Sequence, residues 1–179
     1  MKVYTAKDLE TFEKDEFGRL ICPSGDYTQI KSFGERCSFG ERCSFGKCCS
    51  FGECCSFGER CSFGEWCSFG ERCSFGKCCS FGEWCSFGEC CNLENNLKFE
   101  NIQEDVDRVL KIDRIGSRKG CTYFFKTLSE IYVRCGCFFG TIAEFESKVL
   151  ETHKDNKQYL TEYTEAIRYA KIVLQGLQS

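Results

Sequence analysis

Ten copies of Ser-Phe-Gly succeed one another at a strict six-residue period from Ser32 to Gly88. A unit that short cannot bury its own apolar side chains, so it must stack on its neighbours, and the array dictates a solenoid. The unit reads Cys-Ser-Phe-Gly-Glu-x. Positions two apart on an extended strand face the same way, so Cys and Phe share the buried side and the Ser between them points outward. Ten of the cysteines, at 37, 43, 49, 55, 61, 67, 73, 79, 85 and 91, occupy that one phase. Stacked strands lie about 4.8 Å apart, whereas a disulfide holds its Cβ atoms roughly 3.5–4.5 Å apart. These cysteines therefore read as reduced residues chosen for their volume.

The sixth position varies, and its variation sets the number of sides. Trp66 and Trp84 are 18 residues apart. A coil of three six-residue sides stacks them directly, with Cys48 one coil earlier, whereas a two-sided coil of twelve residues would place them on opposite faces. Stacked aromatic rings gain about 0.5–1.5 kcal/mol, which favours three sides. The other corner columns then run Arg36, Cys54, Arg72, Cys90 and Arg42, Arg60, Cys78, Asn96. Each doublet, such as Cys48 with Cys49, places one thiol inside and one at a corner. Ile21 and Tyr27 extend the Phe phase before the array, and Leu93 and Phe99 extend it afterwards.

With 42% apolar and 15% aromatic residues, the 179-residue chain can build a core. Its net charge of −3 argues against coating nucleic acid or an anionic membrane by bulk attraction. No stretch approaches the roughly 20 apolar residues of a membrane span, and the charged start is unlike a secretory signal, so a cytoplasmic location is expected. Residues 1–18 are expected to cap the solenoid, with Thr5 and Asp8 opening a short helix that runs through Leu9 and Phe12. The solenoid proper is assigned to 19–102, beginning with an irregular coil around Pro23. Residues 103–179 read as an α+β cap of three strands, within 106–115, 121–127 and 131–135, and two helices. The first helix opens on the Thr141/Glu144 capping box and runs to His153 with Ile142, Phe145 and Val149 on one face; the second covers 156–174.

The order of a small residue, any residue, a bulky apolar one and glycine resembles that of hexapeptide-repeat proteins. That resemblance implies a three-sided left-handed parallel β-helix of 18 residues per coil, and a trimer. The whole chain also resembles a group of proteins from phages and gut bacteria that join Ser-Phe-Gly-x-x-Cys arrays to a tail of this type. The likeness rests on 37–91, on Arg114-Ile115-Gly116-Ser117 and on Cys135-Gly136-Cys137-Phe138-Phe139-Gly140 followed by Glu144-Phe145-Glu146; it implies a phage setting and no particular chemistry. Many hexapeptide-repeat proteins are acyltransferases with a histidine base, and others are carbonic anhydrases with zinc on three histidines. This chain has one histidine, His153, outside the array. Carbonic anhydrase chemistry is thereby excluded. The acyltransferase lacks its base and stays as an alternative beside a purely structural solenoid.

Cys121, Cys135, Cys137 and His153 compose a Cys₃His set, but Cys-x-Cys is a weak zinc signal and cysteines on one strand face are more often core. His153 reads more simply as an exposed residue complementing the dipole at a helix end. The stronger candidate lies in 108–120, where Arg108, Lys111, Arg114, Arg118 and Lys119 face a single Asp113. Arg114, Ser117, Arg118 and Lys119 at a glycine-bounded turn could hold a phosphate, although a solvated hairpin turn explains them too. It is not a P-loop, since the Gly-Lys-Ser/Thr ending is absent. Trp66 and Trp84 are candidates for contact with a protein partner. No nucleophile and base pair stands out, and no cofactor is implied. The expectation is a non-enzymatic binding protein, trimeric, that sequesters a phosphate-bearing ligand such as a nucleotide immune signal or blocks a host protein.

Overall fold

The computed structural model describes residues 1–93, 96–116 and 119–175. The chain divides into two compact units, Met1–Asp105 and Val106–Ser179. The first is a parallel β-solenoid of about four turns; the second joins an antiparallel sheet to helices.

The solenoid opens with a one-turn helix, α1 (Ala6–Leu9), in which the Asp8 carboxylate accepts from the Thr5 backbone N–H at 2.7 Å and its hydroxyl at 2.6 Å. Then come β1 (Leu20–Cys22), β2 (Ser32–Phe33), β3 (Cys37–Phe39), β4 (Ser44–Phe45), β5 (Ser50–Phe51), β6 (Ser56–Phe57), β7 (Ser62–Phe63), β8 (Ser68–Phe69), β9 (Ser74–Phe75), β10 (Ser80–Phe81), β11 (Ser86–Phe87) and β12 (Lys98–Phe99). They form three parallel sheets in the orders β1-β3-β6-β9, β12-β10-β7-β4 and β11-β8-β5-β2. Within the array serine pairs with serine and phenylalanine with phenylalanine, as in Ser44↔Ser62 and Phe45↔Phe63.

Each repeat uses its polar groups in the same way. The Ser62 N–H donates to the Cys43 carbonyl at 2.8 Å and the Gly64 N–H to the Phe45 carbonyl at 3.1 Å. The Trp66 N–H donates to the Glu83 carbonyl one coil on at 2.8 Å. The Cys67 thiol donates to the Gly46 carbonyl at 3.3 Å. Cysteine thus fills a small volume and also supplies a donor that alanine lacks, which keeps a buried carbonyl partnered.

The phenylalanines form three stacked columns. One runs Tyr4, Tyr27, Phe45, Phe63, Phe81, Phe99 with centroids 4.9–5.5 Å apart. Neighbouring columns meet edge to face, as do Phe57 and Phe63 at 4.9 Å. The electrostatics of aromatic rings favour both arrangements. Tyr4, on the segment leading into α1, is the ring that stacks on the first coil.

The opening coil departs from the expected phase. Ile21 pairs with Ser38 and is 42% exposed, while Cys22 pairs with Phe39 and is 1% exposed. Leu20 pairs with Cys37, so the chain around Pro23 is one residue short of the later register and turns Ile21 outward. At the other end Leu93 and Phe99 are buried as their phase requires.

The second unit orders its strands β13 (Arg108–Ile115), β14 (Gly120–Lys126), β15 (Ile131–Cys135) and β16 (Phe138–Thr141) as an antiparallel meander. The fourth strand corrects the expected count of three. Gly136, at φ +57°, makes a two-residue loop with Cys137, and Cys135 pairs directly with Phe138. A glycine within Phe138–Thr141 makes so short a strand read as turn. Then α2 (Ile142–His153) and α3 (Lys157–Gln175) follow, and their apolar stripes pack with Phe124, Ile131 and Val133 of the sheet. Thr141 and Glu144 form the capping box of α2, and Asn156 caps α3 by accepting from the Tyr159 N–H at 3.0 Å. Among the described residues no helix is long and apolar enough to cross a membrane.

Candidate functional site

The hairpin ends of the sheet and the facing ends of α2 and α3 leave a cleft of about 520 Å³. Ligand pockets commonly measure about 300–1,000 Å³. The strand ends contribute Ile115, Gly120, Cys121, Cys135, Gly136 and Cys137; α2 contributes Phe145, Lys148, Val149, Thr152 and His153; α3 contributes Tyr163. The cleft is therefore apolar and aromatic inside, with thiols on one wall and an ammonium and an imidazole on another.

Several sequence candidates converge here. Ile115 and Gly120 are the two flanks of the basic turn. Arg114 is exposed and adopts φ +58°, at a register shift between Ile112 and Ile115 that re-aims its side chain. Lys119 is exposed beside that turn at φ +45°. Ser117 and Arg118 lie outside the described residues. The Gly116 N–H donates to the Glu162 carboxylate at 2.8 Å, so an internal carboxylate already takes one of the amides a bound anion would use. A hydrogen bond from Gln158, then that amide, then the charge of Lys119 hold Glu162 below the usual glutamate range.

The other charges of 108–120 have structural partners. Arg108 donates to the Val173 and Leu174 carbonyls at 3.2 and 2.9 Å, satisfying groups near the end of α3. Lys111 pairs with Asp113 at 3.1 Å. Burial works against the Asp113 charge, but hydrogen bonds from Cys121 and Lys111 prevail and keep its carboxyl below the ordinary range.

The four members of the Cys₃His set all line this cleft. Among the described residues, however, no three His, Cys, Asp or Glu side chains come together as a metal site requires. Cys135 is drawn to the core side, where the Thr122 hydroxyl donates to its sulfur at 3.2 Å and its thiol points at the Tyr163 hydroxyl at 3.8 Å. Cys137 is exposed in the hairpin loop, outside any strand. Burial and then Asp113 push the Cys121 thiol up. His153 is half-buried and stacks on Tyr163 at 5.3 Å and 17°, which corrects the expectation of an exposed histidine. Its packing partner Tyr163 lies ten residues on, in α3, and nothing in the local pattern of α2 indicates it.

On the solenoid, Trp66 and Trp84 stack at 5.5 Å and 16°, and Trp66 is 57% exposed. They form a second, separate candidate surface. None of the eighteen cysteines is joined in a disulfide. Comparison with protein-family models, with curated proteins and with solved structures finds no match.

Proposed function

We propose that this protein binds, without transforming it, a small ligand that carries a phosphate or comparable anion on an apolar or aromatic body, and that the cleft of the second unit holds it. The observation that supports this reading is the composition of the cleft wall. Phe145, Val149 and Tyr163 offer apolar surface, while Lys148 and His153 stand on the same rim, next to the turn that carries Lys119. Ammonium groups bordering an apolar pocket suit an amphipathic anion such as a nucleotide.

The same reading takes the solenoid as a three-sided coil of 18 residues, which the pairing Ser32↔Ser50, Ser38↔Ser56 and Ser44↔Ser62 supports, and as left-handed, as the likeness to hexapeptide-repeat proteins implies. It takes the assembly as a trimer, as the likeness to hexapeptide-repeat proteins implies, and the Trp66–Trp84 column as the face offered to a protein.

Calorimetric titration with inorganic phosphate and with adenosine monophosphate tests the site. The nucleotide should bind more tightly than phosphate alone, and replacing Lys119 and Lys148 by Ala together should weaken it at least tenfold. Nucleotide binding that ignores the double substitution, or none at millimolar concentration, would remove this site from consideration.

A further inference from the structure

The thiols on the cleft wall have a chemistry that anion binding does not use. Cys135 closes β15 and Cys137 sits in the loop after it, separated only by Gly136 in the left-handed region. Two Cα steps of 3.8 Å bent at such a glycine leave the end Cα atoms roughly 5.5 Å apart. Disulfides span Cα separations of about 4.4–6.8 Å, so the separation of the pair is one that a disulfide bridges once the Cys135 side chain turns from Thr122. Both sulfurs can be reached, Cys137 being exposed and Cys135 half-exposed, and both border the same cleft.

Cys121 is a poorer partner. Thr122 shares the side of the sheet on which its hydroxyl meets the Cys135 sulfur, so the Cys121 side chain leaves β14 on the opposite face and Cys121 borders the cleft only as part of the strand end. There it hydrogen-bonds Asp113, and burial together with that carboxylate disfavours its thiolate.

We propose that Cys135 and Cys137 form a redox-active dithiol that exchanges with low-molecular-weight disulfides entering the cleft. The Cys137 thiolate attacks one sulfur of the small disulfide, whose S–S bond breaks, and the departing thiolate takes up a proton. The Cys135 sulfur, having lost its proton to water, then attacks the Cys137 sulfur of the mixed disulfide, and the second small thiol leaves. Two protein thiols become one disulfide while one small disulfide becomes two thiols. Closing the bond draws the Cys135 sulfur away from Thr122 and Tyr163 and so reshapes the cleft wall. This inference does not depend on anion binding.

The experiment uses the full-length reduced protein with glutathione disulfide, followed by alkylation, trypsin and mass spectrometry. Cleavage after Lys119, Lys126, Arg134 and Lys148 puts Cys121 in one peptide and Cys135 with Cys137 in another. The expected result is an unalkylated 135–148 peptide lacking two hydrogens and restored by dithiothreitol. The solenoid thiols Cys48 and Cys90, exposed but with no cysteine two residues away, should carry glutathione adducts instead. Cys137→Ser should abolish the internal bond, and Cys121→Ser should leave it intact. Glutathione adducts alone on 135–148, or a bond joining that peptide to the one containing Cys121, would overturn the proposal.

Discussion

A methyl group at position 64 would lie 2.7 Å from the Lys47 nitrogen and 2.8 Å from the Gly46 carbonyl carbon, both backbone atoms of the preceding coil. The repeat glycine therefore serves close approach between coils, since its φ is not in the left-handed region. That region falls instead on the sixth position of the repeat, where Arg36 through Asn96 adopt φ of 51° to 61° with ordinary side chains. From Arg36 to Arg72 the corner N–H donates to a carbonyl of the next coil, and this bond holds the unfavourable backbone in place. Two opposite effects should follow in thermal melts. Gly64→Ala should cost about 3 kcal/mol, the upper end of the overpacking range, because backbone cannot move aside as a side chain can. Arg60→Gly, at φ 60°, should stabilise by about 0.5 kcal/mol, the relief of about 1–2 kcal/mol exceeding the entropy glycine adds to the unfolded chain. A destabilised Arg60→Gly would contradict the assigned corner geometry.

Among the elements, α2 depends most visibly on one ionised group. The Thr141 backbone N–H and then its hydroxyl donate to Glu144, holding that carboxyl below the ordinary 4.5. Glu162 is held low as well, by Gln158 and the Gly116 amide. A carboxyl with a lowered folded value contributes stability that is complete above its unfolded value and is lost as pH falls through the folded one. The second unit should therefore melt at lower temperature as pH drops below about 4.5, and Glu144→Gln should flatten part of that dependence. Equal melting temperatures at pH 6 and pH 3 would show that these caps contribute nothing. The helices were legible because capping box and apolar stripe are local signals. The strand β16 was not, since its pairing depends on a hairpin loop formed by Gly136 and Cys137.

Across the whole molecule the eighteen thiols divide by environment. The nine array cysteines that precede a serine, from Cys37 to Cys85 at six-residue steps, are at most 2% exposed, and a reagent cannot reach them without unfolding the coil. A hydrogen bond with Cys22 pushes the Cys37 thiol up to about 11, and one with Cys37 does the same for Cys55. At pH 8 both stay protonated. Cys48, Cys90, Cys121 and Cys137 are exposed. In the native protein an aromatic disulfide reagent should titrate these four first, with the array thiols appearing only in denaturant. Rapid reaction of the array cysteines in native buffer would mean that the solenoid opens locally or packs differently.

The period of the array determined the solenoid by itself, because a six-residue unit has no other way to bury Phe and Cys, and because each repeat sees the same neighbours as the last. Phase also foretold nine of the ten array cysteines as buried and that Trp66 would stack on Trp84, whereas Cys91, in the last coil, is only half-buried and Cys22, outside the array, is buried. Tertiary structure alone decided what breaks the period. It placed Ile21 outward, since one residue fewer around Pro23 reverses every side chain of a strand. It also brought the flanks of the basic turn, three cysteines and His153 to one cleft, because contacts between a strand end, a hairpin loop and two helices depend on how the chain returns on itself and leave no periodic trace.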